Sequence, residues 1–79
     1  MNKLKYIVFD TGFCEMIVVF PNAAQHRDFA VMPWTVVSAG FVRQTNGGFW
    51  QCYGESISLG VKSRLEDTAL ANRQLEMAD

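Results

Sequence analysis

Seventy-nine residues make one domain, and a chain of this size buries only about 60–65% of the surface its unfolded form exposes, so its core is small. Hydrophobic residues are 49% of the chain, among them six Phe, two Trp and two Tyr, a load that points to a self-association or partner-binding face. Seven Lys and Arg against eight Asp and Glu give a net charge of −1, without the basic footprint of a nucleic-acid binder.

The N-terminal stretch MNKLKYIVFD has two lysines followed by four apolar residues, Tyr6 to Phe9, before Asp10. A secretory apolar region needs about 7–15, so this stretch reads as a strand. No apolar run reaches the ~20 residues of a membrane span. The expectation is a cytoplasmic protein with no membrane partner and with Cys14 and Cys52 as reduced thiols.

LKYIVF (4–9) and CEMIVVF (14–20) are rich in β-branched and aromatic residues and predict two strands. In the second, Met16, Val18 and Phe20 alternate with Glu15, Ile17 and Val19. Both faces are apolar, which predicts a central position in the sheet. Asp10-Thr11-Gly12 between them suits a three-residue hairpin, with Asp bonding backbone N–H groups and Gly supplying a left-handed residue.

NAAQHRDFAV (22–31) predicts a short helix capped by Asn22 with Gln25 as its partner, and ended where Pro33 disfavours helical backbone at Met32. TVVSAGFVRQ (35–44) and GFWQCYGES (48–56) flank Asn46-Gly47 and predict a hairpin. Gly40 and Gly54 inside those strands suggest bulges or a close backbone approach. A second helix begins at the capping box Ser63-Arg64-Leu65-Glu66, with Leu65, Ala69, Asn72 and Leu75 along its apolar stripe. The order β-β-α-β-β-α predicts an α+β domain: a four-stranded antiparallel sheet with two helices.

Chemistry is sparse. Asp10-Thr11-Gly12 after two apolar residues resembles the loop by which aspartic proteases present a catalytic carboxylate, and Ile57-Ser58-Leu59-Gly60 before a helix resembles that fold's bracing element. Against this, Phe13 stands where a small residue belongs, and only nine residues precede Asp10. A tight turn accounts for the same letters. Gly54-Glu55-Ser56-Ile57-Ser58 lacks the second Gly of a nucleophile elbow. Gly40-Phe41-Val42 lacks the strand order and charge of an RNA-recognition motif. His26, the single histidine, has no recognisable metal-ligand spacing around it and reads as a partly buried structural residue. No catalytic, cofactor or metal-binding residue is assigned.

VVSAGFVRQ and CYGESISLGVKSR resemble small proteins encoded by tailed bacteriophages and prophages, over the C-terminal half of the chain, with IVVFP and the His26 segment as fainter echoes. The resemblance implies a compact accessory protein that binds a host protein or complex and disables or redirects it, as anti-CRISPR and other anti-defence inhibitors do. It carries no catalytic residues. The expectation is therefore a non-enzymatic inhibitor acting by occlusion in the bacterial host cell, without cofactor, direct nucleic-acid contact or membrane, and able to form a homodimer. From the residues themselves, the expected contacts are Trp34, Trp50 and Tyr53, with Arg64, Asp67 and Arg73 on the exposed face of the second helix as another patch. The alternatives are a minimal homodimeric enzyme using Asp10 in aspartic-protease fashion, and a small-ligand-binding domain.

Overall fold

The computed structural model describes residues 3–30 and 33–75. The first hairpin joins β1 (Leu4–Asp10) to β2 (Glu15–Pro21), and after a single helical turn, α1 (His26–Phe29), a second hairpin joins β3 (Thr35–Gln44) to β4 (Trp50–Tyr53). These form an antiparallel sheet in the order β2-β1-β3-β4. A small two-stranded hairpin, β5 (Glu55–Ser56) with β6 (Val61–Lys62), and the helix α2 (Leu65–Gln74) complete the described chain. The α+β class and the four-stranded antiparallel sheet with two helices match the sequence expectation. The β5–β6 hairpin is additional, and strands of two residues are too short to show a period.

Both faces of the sheet are covered. Tyr6 and Val8 of β1, with Ile17 and Val42, pack under Leu70 and Ala71 of α2, with Trp50 and Cys52 alongside. Ile7 and Phe9, with Phe20 and Ala39, pack on the opposite face under Phe29, Trp34, Leu59 and Val61. Four successive residues of β1, Tyr6 to Phe9, are fully buried, so β1 is a central strand. β2, expected to be central, is an edge strand. Its apolar faces are explained by cover on both sides of the sheet, with Ile17 toward α2 and Phe20 stacked on Phe29.

Each helix starts later than its sequence suggested. The Ala24 N–H bonds the Pro21 carbonyl in a turn, so Asn22 is not the cap; α1 begins after Gln25, whose N–H donates to Asp28. The expected ending at Met32 lies outside the described residues. For α2 the cap is Arg64, and its box partner is Asp67, replacing Ser63 and Glu66. This shift turns the helix: Asp67, Leu70 and Ala71 point inward, whereas Leu65, expected in the apolar stripe, is exposed.

The β3–β4 connection is a loop over 45–49, and its positive φ falls at Gly48 (85°), not at Asn46 or Gly47. A close backbone approach is found at Gly40, where a Cβ would lie 2.5 Å from the Tyr53 carbonyl oxygen.

Candidate interaction surface

The first turn is held by its own side chains. Asp10 Oδ1 accepts the Gly12 N–H at 2.8 Å, and the Thr11 N–H and Oγ1 both donate to the Cys14 carbonyl, at 3.0 and 3.1 Å. Gly12 takes a φ of 93°, the left-handed residue the turn requires. Asp10 still pairs with Glu15, so the connection spans Thr11–Cys14 rather than the three residues expected. Asp10 itself is exposed at the corner, and Phe13 projects beyond it, 99% exposed.

Beside this turn lies a polar network. Arg64 grips Glu15 with two bonds, Nη2 to Oε1 at 2.8 Å and Nη1 to Oε2 at 3.2 Å, while its Nε donates to Asp67 Oδ1 at 2.9 Å. Asp67 Oδ2 accepts the Arg64 N–H at 2.9 Å and the Tyr6 hydroxyl at 2.6 Å, and Asp67 is wholly buried. Flanked by two carboxylates, the Arg64 guanidinium is held more firmly protonated than usual; in return its hydrogen bonds lower the Glu15 pKa. Burial, reinforced by the Asp67 carboxylate, drives the Tyr6 hydroxyl well above its ordinary value and the nearby Cys52 thiol up to about 11. The network ties the start of α2 to the first hairpin. Leu65, the next residue, is turned outward and is 96% exposed. Phe13 is two residues from Glu15 and Leu65 follows Arg64, so the Arg64–Glu15 pair joins the two segments that carry them.

α2 also occupies both edges of the sheet. On β2, Gln74 Oε1 accepts the Ile17 N–H at 2.9 Å and its Nε2 donates to the Glu15 carbonyl at 2.7 Å. On β4, Asn72 accepts the Trp50 N–H at 2.8 Å and donates to the Trp50 carbonyl at 2.9 Å, while Thr68 Oγ1 accepts the Cys52 N–H at 3.0 Å. Open strand edges invite pairing with other chains, and these side chains take the positions a docking strand would use.

Of the residues expected to touch a partner, Trp34 and Trp50 lie on opposite faces of the sheet. Trp34 is half-buried with its edge against Phe9, on the α1 side. Trp50 is half-buried on the α2 side, with its indole Nε1 enclosed. Tyr53 stacks on Phe41 (centroids 5.8 Å apart) and carries Arg43 over its ring at 4.9 Å. Arg64 is spent on Glu15 and Asp67. Asp67, expected on the exposed face of α2, is corrected to the interior, because a capping carboxylate that also meets Tyr6 must face the sheet. Arg73 is exposed. Phe13 and Leu65 are not among the contacts expected from sequence: a phenylalanine after a turn carries no signal of which way its ring faces, and a helix started at Ser63 puts Leu65 in the apolar stripe.

On the α1 side, an open cavity of about 520 Å³ lies between the sheet and the 54–58 segment, with Lys5, His26 and Phe41 in its lining. The described residues contain no cluster of three or more His, Cys, Asp or Glu side chains placed to hold a metal ion. None of the described helices is long and apolar enough to cross a membrane. Comparison with protein-family models, curated proteins and solved structures finds no significant match for this chain.

Proposed function

We propose that the protein works by contact: a non-enzymatic accessory protein of the tailed-phage type that binds a host protein or complex and inhibits or redirects it by occlusion, in the manner of anti-CRISPR and other anti-defence inhibitors. The observation that carries this reading is the pair Phe13 and Leu65, 99% and 96% exposed, presented from backbone that is itself fastened in place. Apolar anchors on a rigid base lose little freedom on binding, which is the economy a small inhibitor needs. Exposed Asp10 and Glu66 stand near the pair in sequence, in the position of the polar rim that surrounds apolar anchors in stable interfaces.

Occlusion fits a chain whose strand edges are already filled along parts of β2 and β4, since capture of a partner's strand is obstructed there. The test is capture of a host protein by the immobilised chain and its loss on Phe13→Ser with Leu65→Ser. A homodimer is the competing use of the same surface, and sedimentation equilibrium of the isolated chain separates the two.

A further inference from the structure

We infer that the cavity beside His26 is a binding site for a small organic monocarboxylate that also carries a hydrogen-bond donor on an apolar frame. The inference is independent of the proposed partner surface, which lies by the β1–β2 turn. His26 is only 5% exposed, and its Nε2 stands 2.8 Å from the Gly40 carbonyl. A carbonyl only accepts, so Nε2 carries the proton and Nδ1 of the neutral ring is an acceptor. Nδ1 has no hydrogen-bond partner among the described residues, although the ring lines the cavity. Burial, with the charge of Lys5 beside it, lowers the His26 pKa and so favours the neutral ring, which Phe20 and Phe41 flank at steep angles.

Lys5 supplies the second recognition group. Its Nζ donates to the Ala24 carbonyl at 2.8 Å, which holds the ammonium at the cavity and leaves further N–H donors for an anion. Phe41 and Ile57 provide apolar wall, and Ile57 is otherwise 89% exposed. The complement of one fixed cation, one fixed acceptor and an apolar wall is a carboxylate, an O–H or N–H, and an apolar body. Glu55, also at the cavity, opposes a second negative charge and so favours a monoanion over a phosphate. The volume falls within the ordinary range of small-molecule sites, about 300–1,000 Å³.

The experiment is a titration of the ¹⁵N-labelled full chain, followed by amide chemical shifts, with 4-hydroxybenzoate as probe and benzoate and phenol as its two truncations. The expected result is saturable shifts at His26, Phe41, Gly54 and Ile57 with 4-hydroxybenzoate, and affinity at least about tenfold weaker for each probe lacking one group. Lys5→Met is expected to weaken 4-hydroxybenzoate about tenfold while leaving phenol unchanged. Should Lys5→Met disturb the fold, Ile57→Asp reads the same site from an exposed position and is expected to lower the affinity as well. Absence of saturable shifts at millimolar probe, or equal binding of all three probes, overturns the inference.

Discussion

The Tyr6 hydroxyl donates a 2.6 Å hydrogen bond to Asp67 across 61 positions of sequence, joining the central strand to α2 inside the core. A buried carboxylate is costly unless its lone pairs are filled, and here Tyr6 and Arg64 fill them. Tyr6→Phe leaves buried Asp67 Oδ2 with the Arg64 N–H as its remaining partner and is expected to cost about 1–3 kcal/mol in urea unfolding. Asp67→Ala removes the shared acceptor of the Tyr6 hydroxyl and the Arg64 N–H, while the guanidinium keeps Glu15, and is expected to cost more, above about 3 kcal/mol. Equal losses from the two substitutions would contradict the network as described.

The same burial sets the alkaline limit. Tyr6 and Cys52 both have raised pKa values in the fold, from 10.0 and 9.0 respectively. The unfolded chain therefore loses these protons first, and stability is expected to fall as pH rises above 9, with the Cys52 contribution gone once pH passes about 11. At pH 8, iodoacetamide is expected to modify exposed Cys14 well before Cys52, as read by mass spectrometry of the peptides.

On the acid side two groups act in sequence. The His26 pKa is lowered from 6.5, mainly by burial, so the unfolded chain takes up the proton first and stability begins to fall as pH drops below 6.5. The Glu15 pKa is lowered from 4.5 by Arg64, so its contribution is present above 4.5 and is lost as pH falls through the folded value. Because Glu15 is partly in solvent, this second stage is worth no more than about 1 kcal/mol. Thermal melts from pH 8 to pH 3 are expected to show both stages, and Glu15→Gln to remove the lower one.

Two glycines separate crowding from backbone strain. Gly40→Ala would place a methyl 2.5 Å from the Tyr53 carbonyl, where both sides are sheet backbone, and is expected to unfold the protein or cost at least ~3 kcal/mol. Gly12→Ala meets no atom within 4 Å and pays only for its φ of 93°, about 1–2 kcal/mol. Comparable melting temperatures for the two variants would contradict the close approach of β3 to the end of β4.

Asn72 tests the covered edge. Asn72→Ala frees the Trp50 N–H and carbonyl on β4 and is expected to cost about 1–3 kcal/mol. It is also expected to raise concentration-dependent self-association by light scattering, which Arg73→Ala, on an exposed residue of the same helix, does not.

What the sequence made legible was what local chemistry decides. The apolar runs 4–9 and 14–20, the Asp10–Gly12 turn and the second hairpin follow from β-propensity and turn residues. Position within the sheet was not legible, because β2 owes its two apolar faces to cover by α2 and Phe29 rather than to strands on both sides. The α2 face was misread for a related reason. Asp67, Thr68, Asn72 and Gln74 look like solvent-facing residues, yet each bonds the sheet, and a pattern of hydrophobicity does not distinguish a polar side chain in water from one capping a strand. Trp34 and Trp50 lie on opposite faces of the sheet, which their nearness in sequence to the second hairpin does not reveal.

The central claim is that Phe13 and Leu65 form the contact surface, and it is tested most directly by quantitative affinity capture from host lysate with four immobilised chains. These are the native protein, Phe13→Ser with Leu65→Ser, Trp34→Ala, and Tyr53→Ala, each first shown to unfold cooperatively. The expected result is one host protein retained in stoichiometric amount by the native chain and by both single aromatic variants, and lost from the double variant. Retention by the double variant, or no host protein held by the native chain, would contradict it.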